Sequence, residues 1–136
     1  MKAIKLILIA LIFSTSFYSC SSEPKATKSD EVIVKTTDIE VVYFHNERRC
    51  ETCLAVEEVT REAIKEYYQN KISVKDYSLE DEKGEELANQ LKVSGQALLI
   101  LKGDKRIDLT TDAFMNARTN PDELKKLIKE NIDVLL

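Results

Sequence analysis

The sequence predicts an α/β fold: a central mixed β-sheet with helices on both faces, its elements in the order β-α-β-α-β-β-α. Three observations predict it. Two apolar runs, Ile39–His45 and Ala97–Leu101, have the length and continuity of buried strands. Between and after them, apolar residues recur at helical spacing. Late in the chain, Gly103-Asp104 separates two strand-like stretches by two residues, the mark of a hairpin.

The elements follow in order. Val32–Lys35 is expected to form a short edge strand, and Ile39–His45 a buried central one. Val56, Val59, Ala63 and Tyr67 share one helical face, so a helix is expected from about Cys50 to Gln69. Ile72 and Val74 alternate in a second strand ending near Leu79. Glu80–Lys92 reads as a charged amphipathic helix with Leu87 and Leu91 on one side, broken by Gly95. Ala97–Leu101 is the third buried strand, and two βαβ-like stretches are thereby predicted. With glycine first, Gly103-Asp104 suits a type II′ turn, and Arg106–Leu109 returns with Ile107 and Leu109 on one side. The last helix should start at Asn120 as N-cap, with Pro121 in the first helical position and Glu123 completing a capping box. Its inner side is expected to carry Leu124, Leu127, Ile128, Asn131 and Leu135.

Composition limits the function. The 136 residues are 43% hydrophobic and 32% charged, which excludes a disordered chain, a collagen-like repeat and a polytopic membrane protein. One histidine excludes a multi-histidine metal centre within the chain. Residues 1–19 contribute only Lys2 and Lys5, so the remaining 117 residues carry −6 rather than the overall −4. An acidic domain of this kind has no electrostatic footprint for nucleic acid. A chain of this length is expected to form one domain and to be a monomer.

The front of the chain reads as an export signal over residues 1–19: two lysines, the apolar run Leu6–Phe13, then Ser14, Thr15 and Ser16. The run is too short to span a bilayer, which takes roughly 20 apolar residues. Ser19-Cys20 resembles the end of a bacterial lipoprotein signal, where cleavage before the cysteine exposes a thiol that receives lipid. Phe17 and Tyr18 are bulkier than that pattern prefers, and the alternative is cleavage near Ser19 with Cys20 a free thiol. Residues 20–31, polar and containing Pro24, are expected to be a tether, and residues 32–136 the folded domain. Ser21 is not the aspartate of inner-membrane retention, so the anchor is expected at the outer membrane or surface of a bacterial envelope. Outside the cytoplasm, disulfides form and persist.

The three cysteines divide as Cys20 and a Cys50-Glu51-Thr52-Cys53 motif where the first buried strand meets its helix. Two thiols at this spacing can close a small disulfide. A cysteine at a helix start lies over unpaired N–H groups and the positive end of the dipole, both of which favour a thiolate. Arg48 and Arg49 add positive charge, offset by Glu47 and Glu51. Cys50 is therefore expected to be exposed and to attack, with Cys53 further in and resolving the mixed disulfide. Two alternatives stand beside the redox pair: soft-metal or metalloid binding, with His45 as a third ligand, and an inert local disulfide. His45 is otherwise a strand-end residue. No G-x-G-x-x-G is present, so no nicotinamide or flavin cofactor is expected, and no resident metal.

The segment from Val42 to Cys53, with Val93-Ser94-Gly95-Gln96-Ala97-Leu98-Leu99 later, resembles the thioredoxin-like ArsF family, labelled as nitrophenyl compound nitroreductase subunits. The resemblance spans about Ile39–Leu135, and F-H-x-x-x-R-C-x-x-C is its specific part. It implies a thioredoxin-like fold, export, a reductive role and a membrane partner such as a permease associated with aromatic arsenicals. In the wider thioredoxin group a cis-proline precedes the third buried strand; here that place is Gln96, or Ala97 one residue on. The tryptophan before the first cysteine is Arg49, and the buried acid of the central strand falls near Tyr43. These departures leave open a non-catalytic accessory subunit or a thiophilic-ligand binder.

Overall fold

The computed structural model describes residues 38–136 of the chain. The predicted signal, Cys20, the tether and the Val32–Lys35 strand lie outside the described residues. Eight elements follow: β1 (Glu40–His45), α1 (Glu51–Tyr68), β2 (Ser73–Ser78), α2 (Glu82–Gln90), β3 (Ala97–Lys102), β4 (Lys105–Asp108), α3 (Thr110–Asn116) and α4 (Pro121–Asp133).

The sheet order is β2-β1-β3-β4, which puts the two most buried strands in the middle. β1 runs parallel to β2 and antiparallel to β3, and β3 is antiparallel to β4. The sheet is mixed as expected, but only β1-α1-β2 is a parallel βαβ unit. The register gives the reason. β2 ends with Ser78 beside His45, and β3 begins with Ala97 beside Phe44, at that same end of the sheet. The chain re-enters the sheet where it left, so β3 must run backwards.

Side chains alternate between the two faces of the sheet. Val41 and Tyr43 of β1, with Leu98 and Ile100 of β3, join the inner sides of α1, α3 and α4 in one cluster. Val42 and Phe44, with Ala97, Leu99 and Leu101, form a second cluster with Ala88 of α2. Burying one of these large side chains is worth about 1.5–3 kcal/mol, so both faces of β1 anchor the fold. No residue of β2 is fully buried; it is held by its ladder with β1, and α2 packs against its end. A Cβ on Gly84 would stand 1.8 Å from the Ser78 carbonyl oxygen, so only glycine lets this helix lie against the end of β2.

Gly103 has φ +58 while Asp104 does not adopt positive φ, and Lys102 pairs with Lys105. That is the two-residue II′ hairpin geometry. Three further expectations are corrected. α3 was not foreseen, so the order is β-α-β-α-β-β-α-α. This helix of 7 residues holds two threonines and starts where the Asp108 carboxylate accepts the Thr110 N–H at 3.0 Å; burial of Ala113 stabilises it more than propensity does. At α4, Pro121 stands at the start, but Asn120 makes no side-chain cap. Its carbonyl accepts the N–H groups of Glu123 at 3.1 Å and Leu124 at 3.3 Å instead of a capping box. Finally, Ile132 rather than Asn131 reaches the core, with Leu124, Ile128 and Leu135, while Asn131 donates to the Leu127 carbonyl at 2.8 Å.

Candidate functional site

Three chain segments converge at the end of the sheet where β1 and β2 finish and β3 begins. The turn from β1 to α1 brings Cys50. The first turn of α1 brings Cys53, and the loop before β3 brings Gln96. The parallel ladder continues one step past the strands, with Leu79 N–H donating to the His45 carbonyl at 2.8 Å. That bond fixes the floor beneath the turn.

Cys50 is the N-cap of α1, with extended backbone at φ −83 and ψ 168. Its Sγ accepts the Cys53 N–H at 3.4 Å, occupying one of the orphan donors of the first turn. Cys50 is exposed, whereas Cys53 is 2% exposed, and the two sulfurs lie 2.7 Å apart as free thiols. The Cys53 hydrogen also faces Gln96 Oε1 at 3.0 Å. The two thiols are pushed in opposite directions. The bond from the Cys53 thiol, then the backbone N–H groups of Cys53 and Thr52, hold the Cys50 thiol below the ordinary cysteine range. Burial first, then its bond to Cys50, pushes the Cys53 thiol up.

Tyr43 stands on β1 beneath the pair. Its hydroxyl donates to the Cys53 carbonyl at 3.2 Å. Burial, then the neighbouring Cys53, raises its ionisation far above the usual phenol, so it is a donor here and not a base. Arg49 does not spread its charge freely over Cys50. Its Nη1 pairs with Glu57 at 2.5 Å, and the guanidinium lies over the Tyr43 ring at 5.9 Å. Its Nε and Nη2 are buried with no hydrogen-bond partner. Arg48 is exposed and has no ion pair among the described residues.

A charge ladder continues from Glu57 to Arg61 at 2.9 Å, and from Arg61 to Asp76 on β2 at 2.6 Å. His45 closes it, with Nε2 3.7 Å from Asp76. The His45 Nδ1 lies 2.9 Å from the Asn46 carbonyl, which only accepts, so Nδ1 carries a hydrogen. Among the described residues no three His, Cys, Asp or Glu side chains gather to hold a metal ion, and the His45–Cys50–Cys53 set that spacing allowed is not assembled. Glu57, Asp76 and Arg118, which pairs with Glu51 at 2.9 Å, were not anticipated. Only the Glu57–Arg61 pair had a signal in the sequence, its i,i+4 spacing.

Gln96, expected at the position before the third buried strand, is brought to Cys53 across 43 residues, and no cis peptide occurs among the described residues. It also lines an open cleft of about 620 Å³ with Asn46, Glu85, Asn89 and Ser94. A cleft of similar size lies at the other end of the sheet, around Glu40, Tyr67, Tyr68 and Lys102, away from the thiols. No helix among the described residues is long and apolar enough to cross a membrane.

No family model matches the chain, and no curated protein matches it. Among solved structures it is similar to oxidised thioredoxin O2 from Arabidopsis thaliana, at 17% identity and a TM-score of 0.52, over 69% of this chain and 75% of that one. Mitochondrial thioredoxin 3 from Saccharomyces cerevisiae aligns at 19% identity and a TM-score of 0.47, over 71% of this chain and 82% of that one. The first of these carries the assignment of architecture, in agreement with the mixed sheet and its flanking helices. The chain therefore has a thioredoxin-like α/β fold bearing a Cys-x-x-Cys pair at the start of its first described helix.

Proposed function

We propose that the protein is a thiol–disulfide oxidoreductase. The observation that carries this is the asymmetry of the pair: an exposed Cys50 with depressed ionisation touching a buried Cys53 that holds its proton. Cys50 thiolate attacks one sulfur of a substrate disulfide, whose S–S bond breaks to release a first thiolate. Cys53 passes its proton to that departing group and attacks the Cys50 sulfur, which breaks the mixed disulfide and releases the second sulfur as a thiolate that takes its proton from water. Two electrons move from the dithiol to the substrate, and the protein ends as the Cys50–Cys53 disulfide. The cleft beside Gln96 is the approach for the substrate chain.

The setting belongs to the same proposal. Residues 1–19 and the Ser19-Cys20 junction support an exported lipoprotein anchored through lipidated Cys20 in a bacterial envelope, with the outer membrane favoured. The F-H-x-x-x-R-C-x-x-C segment supports a place in the ArsF family, as the redox subunit of a nitroaromatic- or arsenical-related system. A membrane redox partner or permease would return the disulfide to the dithiol, with Arg48 steering an acidic partner surface.

The test is equilibration of the purified chain with reduced and oxidised glutathione, followed by reduction of insulin. Exchange and turnover are expected. A pair that neither exchanges with glutathione nor turns insulin over sinks the enzyme. A second reading, an accessory or thiophilic-ligand subunit, is favoured by Tyr43: the group on β1 beneath Cys53 is a phenol that keeps its own proton, so it does not help draw the Cys53 proton off. Titration with arsenite or zinc separates the two, since binding that Cys50→Ser abolishes, without turnover, would establish the second.

A further inference from the structure

Either sulfur of the pair can donate across the 2.7 Å between them while both are thiols. Once Cys50 is ionised, the one hydrogen left is that of Cys53, which then has two acceptors, Cys50 Sγ at 2.7 Å and Gln96 Oε1 at 3.0 Å. A thiol carries one hydrogen, and both acceptors lie within hydrogen-bonding reach of it. Whatever share Gln96 takes is withdrawn from Cys50. We infer that Gln96 competes with Cys50 for the Cys53 hydrogen and so sets how readily Cys50 ionises. The inference rests on the proposed redox role of the pair and assigns to Gln96 the tuning of its attacking thiol.

Geometry makes the competition specific. Gln96 directly precedes β3, and the β1–β3 register that pairs Phe44 with Ala97 fixes where its side chain begins. The amide is neutral and does not titrate, so its effect on Cys50 comes through the shared hydrogen and not through charge. The charged and titratable groups at this end come from every packed element. Glu47, Arg48 and Arg49 lie in the turn, Glu51 on α1, Glu80 after β2, Glu85 on α2 in the cleft that Gln96 lines, and Arg118 after α3, with Tyr43 and His45 on β1. Arg49 is tied to Glu57 and Glu51 to Arg118, while Glu80 accepts the Glu47 N–H at 2.5 Å. All of them stay constant when only residue 96 is changed, so they set a baseline against which the amide can be read.

Three forms of residue 96 then fall in a fixed order. Gln96→Leu removes the competing acceptor, leaves the Cys53 hydrogen wholly to Cys50 and lowers the pH at which Cys50 ionises. Gln96→Glu offers a charged, stronger acceptor and adds negative charge, so it raises that pH. A neutral hydrogen bond of about 0.5–1.5 kcal/mol corresponds to about 0.4–1 pH unit, and the weak S–H donor places the leucine variant near the lower end.

The experiment is the pH dependence of iodoacetamide alkylation at Cys50 in the reduced full chain, followed by peptide mass spectrometry, for the parent, Gln96→Leu and Gln96→Glu. Gln96→Met is a second apolar variant should leucine fold poorly. The midpoint is expected to rise in the order leucine or methionine, parent, glutamate. Coincident midpoints, or both kinds of variant moving the same way, overturn the inference. Alkylation needs no turnover, so the order is read even if the protein fails to reduce insulin. Failure of the oxidoreductase proposal and failure of the Gln96 inference are thus distinguishable.

Discussion

The rim and the floor of the site hold the same functional group three residues apart and treat it in opposite ways. At the rim, Cys50 stands exposed among Arg48, Glu51 and Arg118, in contact with water and open to a substrate. On the floor, Cys53 is closed in by Tyr43 and Gln96, and its hydrogen is held. The difference shows that the chemistry of a Cys-x-x-Cys pair is not a property of the motif. One helical turn carries the second thiol from solvent into the core. That depth separates an exposed thiol held below the ordinary cysteine range from a buried one pushed above it.

The comparison breaks most completely if either sulfur is removed. Cys50→Ser is expected to lower disulfide reduction to background, measured by insulin turnover, because the attacking thiolate is gone. Cys53→Ser keeps the attack and loses the release, so a mixed disulfide with the substrate should accumulate and be visible by mass spectrometry. The two thiols should also titrate apart. Thiolate is the reactive form, so Cys50, whose ionisation is depressed, alkylates below the ordinary midpoint near pH 8.5, and Cys53, whose ionisation is raised, alkylates above it. Coincident profiles would erase the distinction.

Stability should follow the same division. Leu98, fully buried on β3, is expected to cost about 2–5 kcal/mol on change to alanine, through lost burial and a residual cavity. Leu54, 50% exposed one turn along α1 from Cys50, should change by no more than about 0.5 kcal/mol. Urea denaturation of both variants measures the contrast. Tyr43→Phe removes the bond to the Cys53 carbonyl and should cost about 0.5–1.5 kcal/mol by the same measurement. The smallest effect is expected at the rim, where Arg118→Ala breaks an exposed pair with Glu51. Its melting temperature should match the parent in physiological salt.

What could be read along the chain was what depends on near neighbours. Continuous apolar runs identified β1 and β3, helical spacing identified α1, and the Gly103-Asp104 turn gave the hairpin. The exposed Cys50 and buried Cys53 followed from placing Cys50 at a helix start, since three residues later a side chain lies one turn inside. Features set by contacts among distant elements leave no such local pattern. α3 has weak propensity and is held by Asp108 and by the burial of Ala113, neither visible as a pattern. The direction of β3 depends on the end at which the chain re-enters the sheet. Arg49 was placed beside Cys50 by adjacency, but Glu57, nearly two turns into α1, takes its charge.

The sequence by itself determined the strand-turn-helix unit, the position of both thiols within it and the apolar faces of the sheet. These follow from local geometry: the two-residue period of a strand, the turn of a helix and the unpaired N–H groups at its start. Tertiary structure alone decided which distant groups meet the sulfurs. Gln96 reaches Cys53 across 43 residues because the β1–β3 register brings Ala97 beside Phe44. Tyr43 lies under the pair because α1 packs on its face of the sheet. A hydrogen bond is lost over a fraction of an ångström, and no spacing along the chain fixes a distance between segments so far apart.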